Sequence, residues 1–442
     1  MSALMTESHS LRRVFGLGFG LAVIVGSTIG TGILRAPGLV AGQLTTSTAI
    51  LAAWLIGGLY TLLGSICLTE LGTAIPGAGG YFVYARRAFG NVAGFAVGWT
   101  DWLTYCCVLG YVSITIADFV VKLAPGLAGS ETWIAIFALV AFVALQFAGV
   151  KVSGAFQEVT TAVKFVAFLA LVIACLAWPL PAATAAATTT ATGMTLAGII
   201  GALQAVVITY GGWQSALYFT EEDRDPGRNL PRAMIGGVAA VIFIYLLVNI
   251  ALLAVLPIPD LAASTLPAAD AASRLVGARG GMILTMLSIV SLVPLLNAVL
   301  MIGTRILYGM GRDGLFWSKT SEVGGAGTPV VATLATTAIA IVLIATGTFK
   351  QLIATTSFFL AANYCVSCLA LIALRRREPG LARPFRAWGY PASAWIVLIG
   401  AVAFLGGVIV GDTANGLKAI GLMAVGVAGY LAIRATRSAS SH

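Results

Sequence analysis

The stretch "IVGSTIGTGILRAPG", residues 24–38, places four glycines and a proline inside an apolar run long enough to cross a membrane. Glycine weakens a helix and proline interrupts one. In hydrocarbon a spanning helix keeps its backbone hydrogen bonds to itself, so a break there frees polar groups that need another partner. With the helix interrupted at Gly26, Gly30 and Gly32, its second half starts near Thr31. The free N–H groups of Thr31, Gly32 and Ile33, with the positive end of the helix dipole, would suit a carboxylate. Carbonyls ending the first half, near Ser27 and Thr28, would suit an ammonium. The competing reading is close helix packing, because Gly26 and Gly30 form a GxxxG pair.

The surrounding chain decides what kind of protein carries this break. Apolar residues make up 59% of the 442 and charged residues 9%, more apolar surface than a soluble core could bury. Twelve windows could each cross a hydrocarbon layer of roughly 30 Å. They lie at 14–40, 48–75, 88–121, 132–149, 153–178, 196–220, 234–256, 278–309, 329–346, 350–374, 389–410 and 415–434. The reading is therefore an all-α integral membrane protein of twelve transmembrane helices, one membrane domain over 1–442. Eighteen of the 25 Lys and Arg residues fall on the side of the N-terminus and five on the other, with Arg35 and Lys164 inside spans. That bias puts both termini in the cytoplasm of a multi-pass protein of the cell inner membrane. The net charge of +9 follows topology and contact with anionic lipid, so it needs no nucleic acid. The first apolar run is too long for a cleaved leader and lacks a small-x-small exit site. All six cysteines lie in apolar spans and read as packing residues, with neither a metal nor a cofactor implied. The longest outer loops are the low-complexity segment 180–193, read as a flexible link, and the segment 257–277. A basic, proline-broken loop spans 375–388.

A second interruption, "TYGGWQ" at 209–214, breaks the sixth span five helices later. Broken spans at corresponding positions of two halves point to an inverted-repeat transporter with its substrate at the break. The sixth span runs inward, so its outer half ends at the break and presents the carbonyls of Ile208 and Gly211 to the same ammonium. Opposite dipole ends side by side describe a site for a zwitterion, and an α-amino acid fits.

Four motifs in order carry a family resemblance: "GTGIL" at 30–34, "ELGTAIPGAGGYFVYARRAFG" at 70–90, "TYGGWQSALYFTEEDRDPGRNLPRAM" at 209–234 and "RILYGMGRDGLF" at 305–316. The chain resembles amino acid permeases of the amino acid, polyamine and organocation (APC) superfamily, the LAT and bacterial amino acid transporters among them. The resemblance implies a LeuT-type fold with discontinuous helices 1 and 6. Its five-plus-five inverted repeat would cover 14–178 and 196–374, with helices 11 and 12 over 389–434. Carried over by position, Thr31 and Gly32 would bind the substrate carboxylate, and Thr28, Ile208 and Gly211 would receive its ammonium. The family usually has an aromatic residue at the position of Ile208, closing over the substrate from outside. Here the gate residue is aliphatic, so either occlusion by Ile208 would be looser or Tyr210 or Trp213 would share the gating.

Lys164 lies about twelve residues into the fifth span, roughly 18 Å along the axis at 1.5 Å per residue. That depth argues for a partner inside the protein over snorkelling to the interface. In some APC members a lysine at this position stands where sodium sits in sodium-coupled relatives. The resemblance thus implies contacts with the Gly30 carbonyl and a helix 8 hydroxyl, Ser291 first and Ser288 second, and sodium-independent transport. Burial disfavours the charged form, which makes Lys164 a candidate proton carrier.

Other residues carry two readings each. Arg35 is either an electropositive wall for an incoming carboxylate or the partner of a carboxylate such as Asp118. Asp101 reads as a structural pair before a proton site, and "EEDRDP" at 221–226 as a solvated loop before a cytoplasmic gate. Asn297 and Asn363 would line the side-chain pocket or bond between helices. Histidine occurs only at His9 and His442, and no nucleophile elbow, phosphate loop or paired carboxylate suggests an enzyme. The function read from the sequence is secondary transport of neutral L-amino acids, by exchange or proton coupling and with no accessory subunit predicted. A cationic amino acid or polyamine antiporter is the alternative and an ion channel the remote one.

Overall fold

The computed structural model describes residues 11–30, 32–177, 195–264, 266–277 and 279–439, so the segment 180–193 lies outside the described residues. The apolar run that opens the chain forms two helices, α1 (Leu17–Thr28) and α2 (Gly32–Ala41), bent by 48°. α1 stops because Ile29 turns extended, at φ −76° and ψ 97°. The hairpin partner α3 (Ser47–Ala74) starts at Thr46, whose side chain caps the Ala49 N–H. A short α4 (Tyr81–Phe89) then precedes α5 (Asn91–Leu123), the third long crossing, and α6 (Glu131–Phe147) and α7 (Val150–Ala177) follow.

The second interrupted span is α8 (Leu196–Thr209), continued after the glycine pair by a 3₁₀ turn, Trp213–Phe219. After α9 (Pro226–Val255), the segment read as an outer loop folds into two short helices, α10 (Ile258–Ala263) and α11 (Pro267–Val276). The apolar face of α11 packs on the next crossing and on α2, a contact that no local sequence pattern shows. The remaining helices are α12 (Arg279–Arg312), α13 (Val330–Thr346), α14 (Phe349–Arg377), α15 (Ala392–Gly411) and α16 (Thr413–Ala439).

Among the described residues nine helices are long and apolar enough to cross a membrane, and the α1/α2 pair makes a tenth. α6 and α13 are apolar but only 17 residues each, short of the ~20 of a full crossing. The chain is a multi-pass membrane protein. Its outer surface agrees, for Trp133, Phe137 and Val410 are 73%, 74% and 83% exposed as lipid-facing groups. Inside the bundle α1 packs on α7, α9 and α12, and α5 packs on α12 and α14, so both breaks sit at the centre.

The side carrying the N-terminus is closed. Phe15 stacks on Phe19 at 3.6 Å between ring centroids, and both meet the edge or face of Phe219. The N–H groups of Val14 and Phe15 donate to the Glu222 carbonyl at 3.0 Å, fastening the chain start to the loop behind the second break.

Candidate functional site

The two interruptions face one another across a cavity of about 210 Å³. Ser27, Thr28, Gly30 and Gly32 line it from the first break, and Ile208, Gly211, Gly212, Gln214 and Ser215 from the second. Opposite lies one face of α5, Thr104, Tyr105, Val108, Val112 and Thr115, recurring at helical spacing. The volume is below the roughly 300–1,000 Å³ of pockets for drug-sized ligands, which limits an occupant to a small solute. No charged side chain lines it among the described residues. Ile208, at the end of α8, is 45% exposed, whereas Ser27, Thr28, Tyr105 and Gln214 are buried.

Hydrogen bonds lock the breaks together. The Ser27 and Ser215 hydroxyls lie 2.6 Å apart, and both are within hydrogen-bond distance of the Gly212 carbonyl, at 3.1 and 2.6 Å. Tyr245 of α9 reaches into the gap, where its hydroxyl lies within hydrogen-bond distance of the carbonyls of Thr28, at 2.9 Å, and Thr209, at 3.0 Å, sharing its one proton between them. Gln214 accepts from the Gly212 N–H and the Tyr364 hydroxyl, both at 3.2 Å. The Ile208 carbonyl accepts from Gly211 at 2.9 Å. One polar group stands apart. The Thr28 hydroxyl is buried on the cavity wall and has no partner among the described residues. Leaving such a group unsatisfied costs about 1–3 kcal/mol, a cost that a bound solute or water removes.

The double glycine has separate reasons for its two members. Gly212 has φ +115°, and a Cβ there would lie 2.5 Å from the Ser27 carbonyl oxygen. Gly211 has no such torsion, and its Cβ would meet the Ile208 oxygen at 3.0 Å and Leu360 at an ordinary 3.7 Å. Gly212→Ala is therefore expected to lower the melting temperature of the purified protein well beyond Gly211→Ala, since backbone strain alone costs about 1–3 kcal/mol and the clash adds to it. Equal melting of Gly212→Ala and the unaltered protein would remove this account of the break.

The expected site residues divide. Ser27, Thr28, Gly30, Gly32, Ile208 and Gly211 meet at the cavity, and Thr31 lies outside the described residues. Ile33 is fully buried in a hydrophobic cluster with Val25 and Ile29. Tyr210 also turns away, because its hydroxyl donates to the Trp54 carbonyl at 3.1 Å and its ring packs on Tyr245. Trp213 borders a separate small void with Tyr60 and Tyr364. Of the three expected gate residues, only Ile208 reaches the cavity. Asn297 donates to Gln157 and accepts from Gln146, both at 2.8 Å, so it joins three helices in place of lining the pocket. Asn363 accepts from Thr100 at 3.2 Å, also off the cavity. Tyr245 and Gly212 were missed as individuals; only the glycine pair carried a signal.

Lys164 is fully buried, as its depth suggested, but its contacts need correction. Its ammonium donates to the carbonyls of Gly26, at 2.7 Å, and Ile29, and not to that of Gly30. α1 ends at Thr28, so the carbonyls on the α7 side of its last turn are the ones without a helical partner. Ser291 donates to the same Ile29 carbonyl at 3.3 Å, while the buried Ser288 hydroxyl has no partner among the described residues. Gly26 has the close-packing role as well, since a Cβ there would lie 2.3 Å from Gln157.

The acidic loop is solvated only in part, with Arg224 and Asp225 exposed and Glu222 buried. Glu222 and Arg305 are both fully buried and pair at 2.9 and 3.1 Å, with Arg305 also over the Phe219 ring. Glu221 pairs with Arg312 and accepts from the Ala78 N–H. These bonds join the loop behind the second break to α12, on the closed side. Arg305, counted from the sequence among the basic residues of that surface, is thus an interior group. Asp101 is buried and accepts from Tyr218 at 2.9 Å. Arg35 is exposed and acts on Asp118 through its charge, with no ion pair between them among the described residues.

Comparison with known proteins identifies relatives of the whole chain. A family profile described as amino acid permease matches residues 18–427. The serine/threonine exchanger SteT of Bacillus subtilis is 28% identical over 92% of this chain and 94% of its own. The Asc-type amino acid transporter 1 of Mus musculus is 27% identical over 86% of this chain and 74% of its own, and the b(0,+)-type amino acid transporter 1 of the same organism 27% over 86% and 80%.

Proposed function

This chain belongs to the amino acid permease family, a membrane transporter and not an enzyme, and we propose that it moves small neutral L-amino acids across the cytoplasmic membrane by sodium-independent alternating access. The observation that carries the substrate class is the cavity itself, which has dipole ends of opposite sign from two broken helices and no charged wall. The carboxylate would sit on the N–H groups opening α2, at Thr31 and Gly32. The ammonium would face the carbonyls ending α1 and α8 and the unpartnered Thr28 hydroxyl. A cationic amino acid or polyamine would find no counter-charge there.

The proposed architecture is twelve crossings, with α6 and α13 as short spans. An inverted repeat over 14–178 and 196–374 is followed by helices over 389–434, and both termini are cytoplasmic. The coupling mode we favour is exchange, because a relative matched over nearly its whole length is a serine/threonine exchanger. Proton symport through Lys164 is the second reading, favoured by an ammonium held deep in the membrane by carbonyls alone. An outward amino acid gradient that accelerates uptake without any pH gradient would decide for exchange.

The substrate reading is tested by thermal shift of the purified protein. L-Serine at a hundred times its dissociation constant should stabilise by about 2.7 kcal/mol, whereas ethanolamine, its decarboxylated amine, and lactate, lacking the amino group, should not. Equal stabilisation by ethanolamine and L-serine would show that no carboxylate subsite exists.

A further inference from the structure

A second cavity, of about 600 Å³, lies on the membrane-facing side of the bundle, away from the substrate site. It sits between the start of α5, the segment Gly314–Trp317 and the last turns of α16, all on the side that carries the N-terminus. Its wall is aromatic. Phe95 stacks on Tyr430 at 4.4 Å and lies parallel to Trp99 at 6.2 Å, while Phe316 and Trp317 close the other side. α16 approaches this wall closely, because the Trp99 indole donates to the Leu422 carbonyl at 3.2 Å and a Cβ on Gly426 would lie 2.3 Å from it.

The rim is basic. Arg434 lines the cavity, is exposed, and has no ion pair among the described residues. Lys319 lies over the Trp317 ring at 5.5 Å, and Trp317 is itself 55% exposed. An apolar, ring-lined hollow with Arg434 on its wall and Lys319 over the bordering Trp317 ring is complementary to an amphiphile with an anionic head. Tryptophan and tyrosine concentrate at headgroup level, and basic pockets between spans hold anionic headgroups there.

We propose that this cavity is a binding site for an anionic glycerophospholipid of the leaflet facing the N-terminal side, with an acyl chain along Phe95, Trp99 and Tyr430 and the phosphate at Arg434. The occupied site ties α16 to Gly314–Trp317. That segment directly follows Asp313, which pairs with Arg86 at 2.5 Å, and Arg312, which pairs with Glu221. The lipid is thereby joined to the ion pairs on the closed side of the transporter.

Two variants test the site. Arg434→Gln removes the free charge from an exposed position. Gly429→Leu grows into the cavity, where a Cβ at Gly429 meets nothing within 4 Å. The full-length protein is reconstituted in nanodiscs of phosphatidylcholine with and without phosphatidylglycerol, and lipids retained after extraction are counted by native mass spectrometry. The unaltered protein should retain phosphatidylglycerol in preference to phosphatidylcholine. Arg434→Gln should reduce that preference about fivefold, the share of one basic residue near an anionic surface, and Gly429→Leu should reduce retention of both lipids. Absence of any preference in the unaltered protein, or unchanged retention in Arg434→Gln, overturns the proposal. So does a dimer that Gly429→Leu dissociates, since the cavity would then belong to a second copy of the chain.

Discussion

Proteoliposomes carrying Lys164→Ala are expected to transport amino acid at least about a hundredfold more slowly than the unaltered protein. The variant removes two charge-assisted hydrogen bonds, at roughly 1.5–3 kcal/mol each, that hold the last turn of α1 against α7. It also leaves the Gly26 carbonyl without its partner, and the Ile29 carbonyl with only the longer Ser291 bond. Since each 1.36 kcal/mol is a factor of ten in rate, loss of this tie in the moving state is enough for that drop. Substrate binding should change little by comparison, because Lys164 does not line the cavity. Radiolabelled uptake and thermal shift on the same preparation separate the two effects. Full transport by Lys164→Ala, or a strict sodium requirement of the unaltered protein, would sink the assignment of Lys164 to the coupling position.

The second large effect belongs to Glu222 and Arg305. Removing one partner of a buried ion pair costs about 3–5 kcal/mol, because the other charge stays buried without compensation. Arg305→Ala should accordingly melt far below the unaltered protein. The double variant Glu222→Gln with Arg305→Met should recover most of that loss, since neither charge remains. With the bond between the second break and α12 gone, the double variant should also admit membrane-impermeant thiol reagents more readily from the closed side, at a cysteine placed at Ser215. A double variant as unstable as Arg305→Ala, or unchanged labelling, would mean that the pair neither stabilises nor closes this face.

The membrane class, the two breaks and the buried lysine were legible in the sequence. Each rests on a local property: the length of an apolar run, glycine where a helix cannot continue, or a charge far from any loop. The six residues that meet at the cavity were found because backbone groups at a helix end take their direction from the break itself. Side chains were harder. Tyr210, Trp213, Asn297 and Asn363 all stand on the right helices, yet each turns to another neighbour. Helical periodicity gives a residue its face but does not say which helix covers that face.

What the sequence determined by itself is therefore the multi-pass membrane class and the places where spans break, both dictated by hydrocarbon, which tolerates only self-satisfied backbone. Tertiary structure alone decided which groups complete those breaks. Tyr245 meets Thr28 across 217 residues, Lys164 meets Gly26 across 138, and Arg305 meets Glu222 across 83. A polar group inside the bundle takes whichever partner packing brings within about 3 Å. That choice is fixed by the crossing of helices distant in the chain, so the two breaks are written locally while the bonds that hold and close them are not.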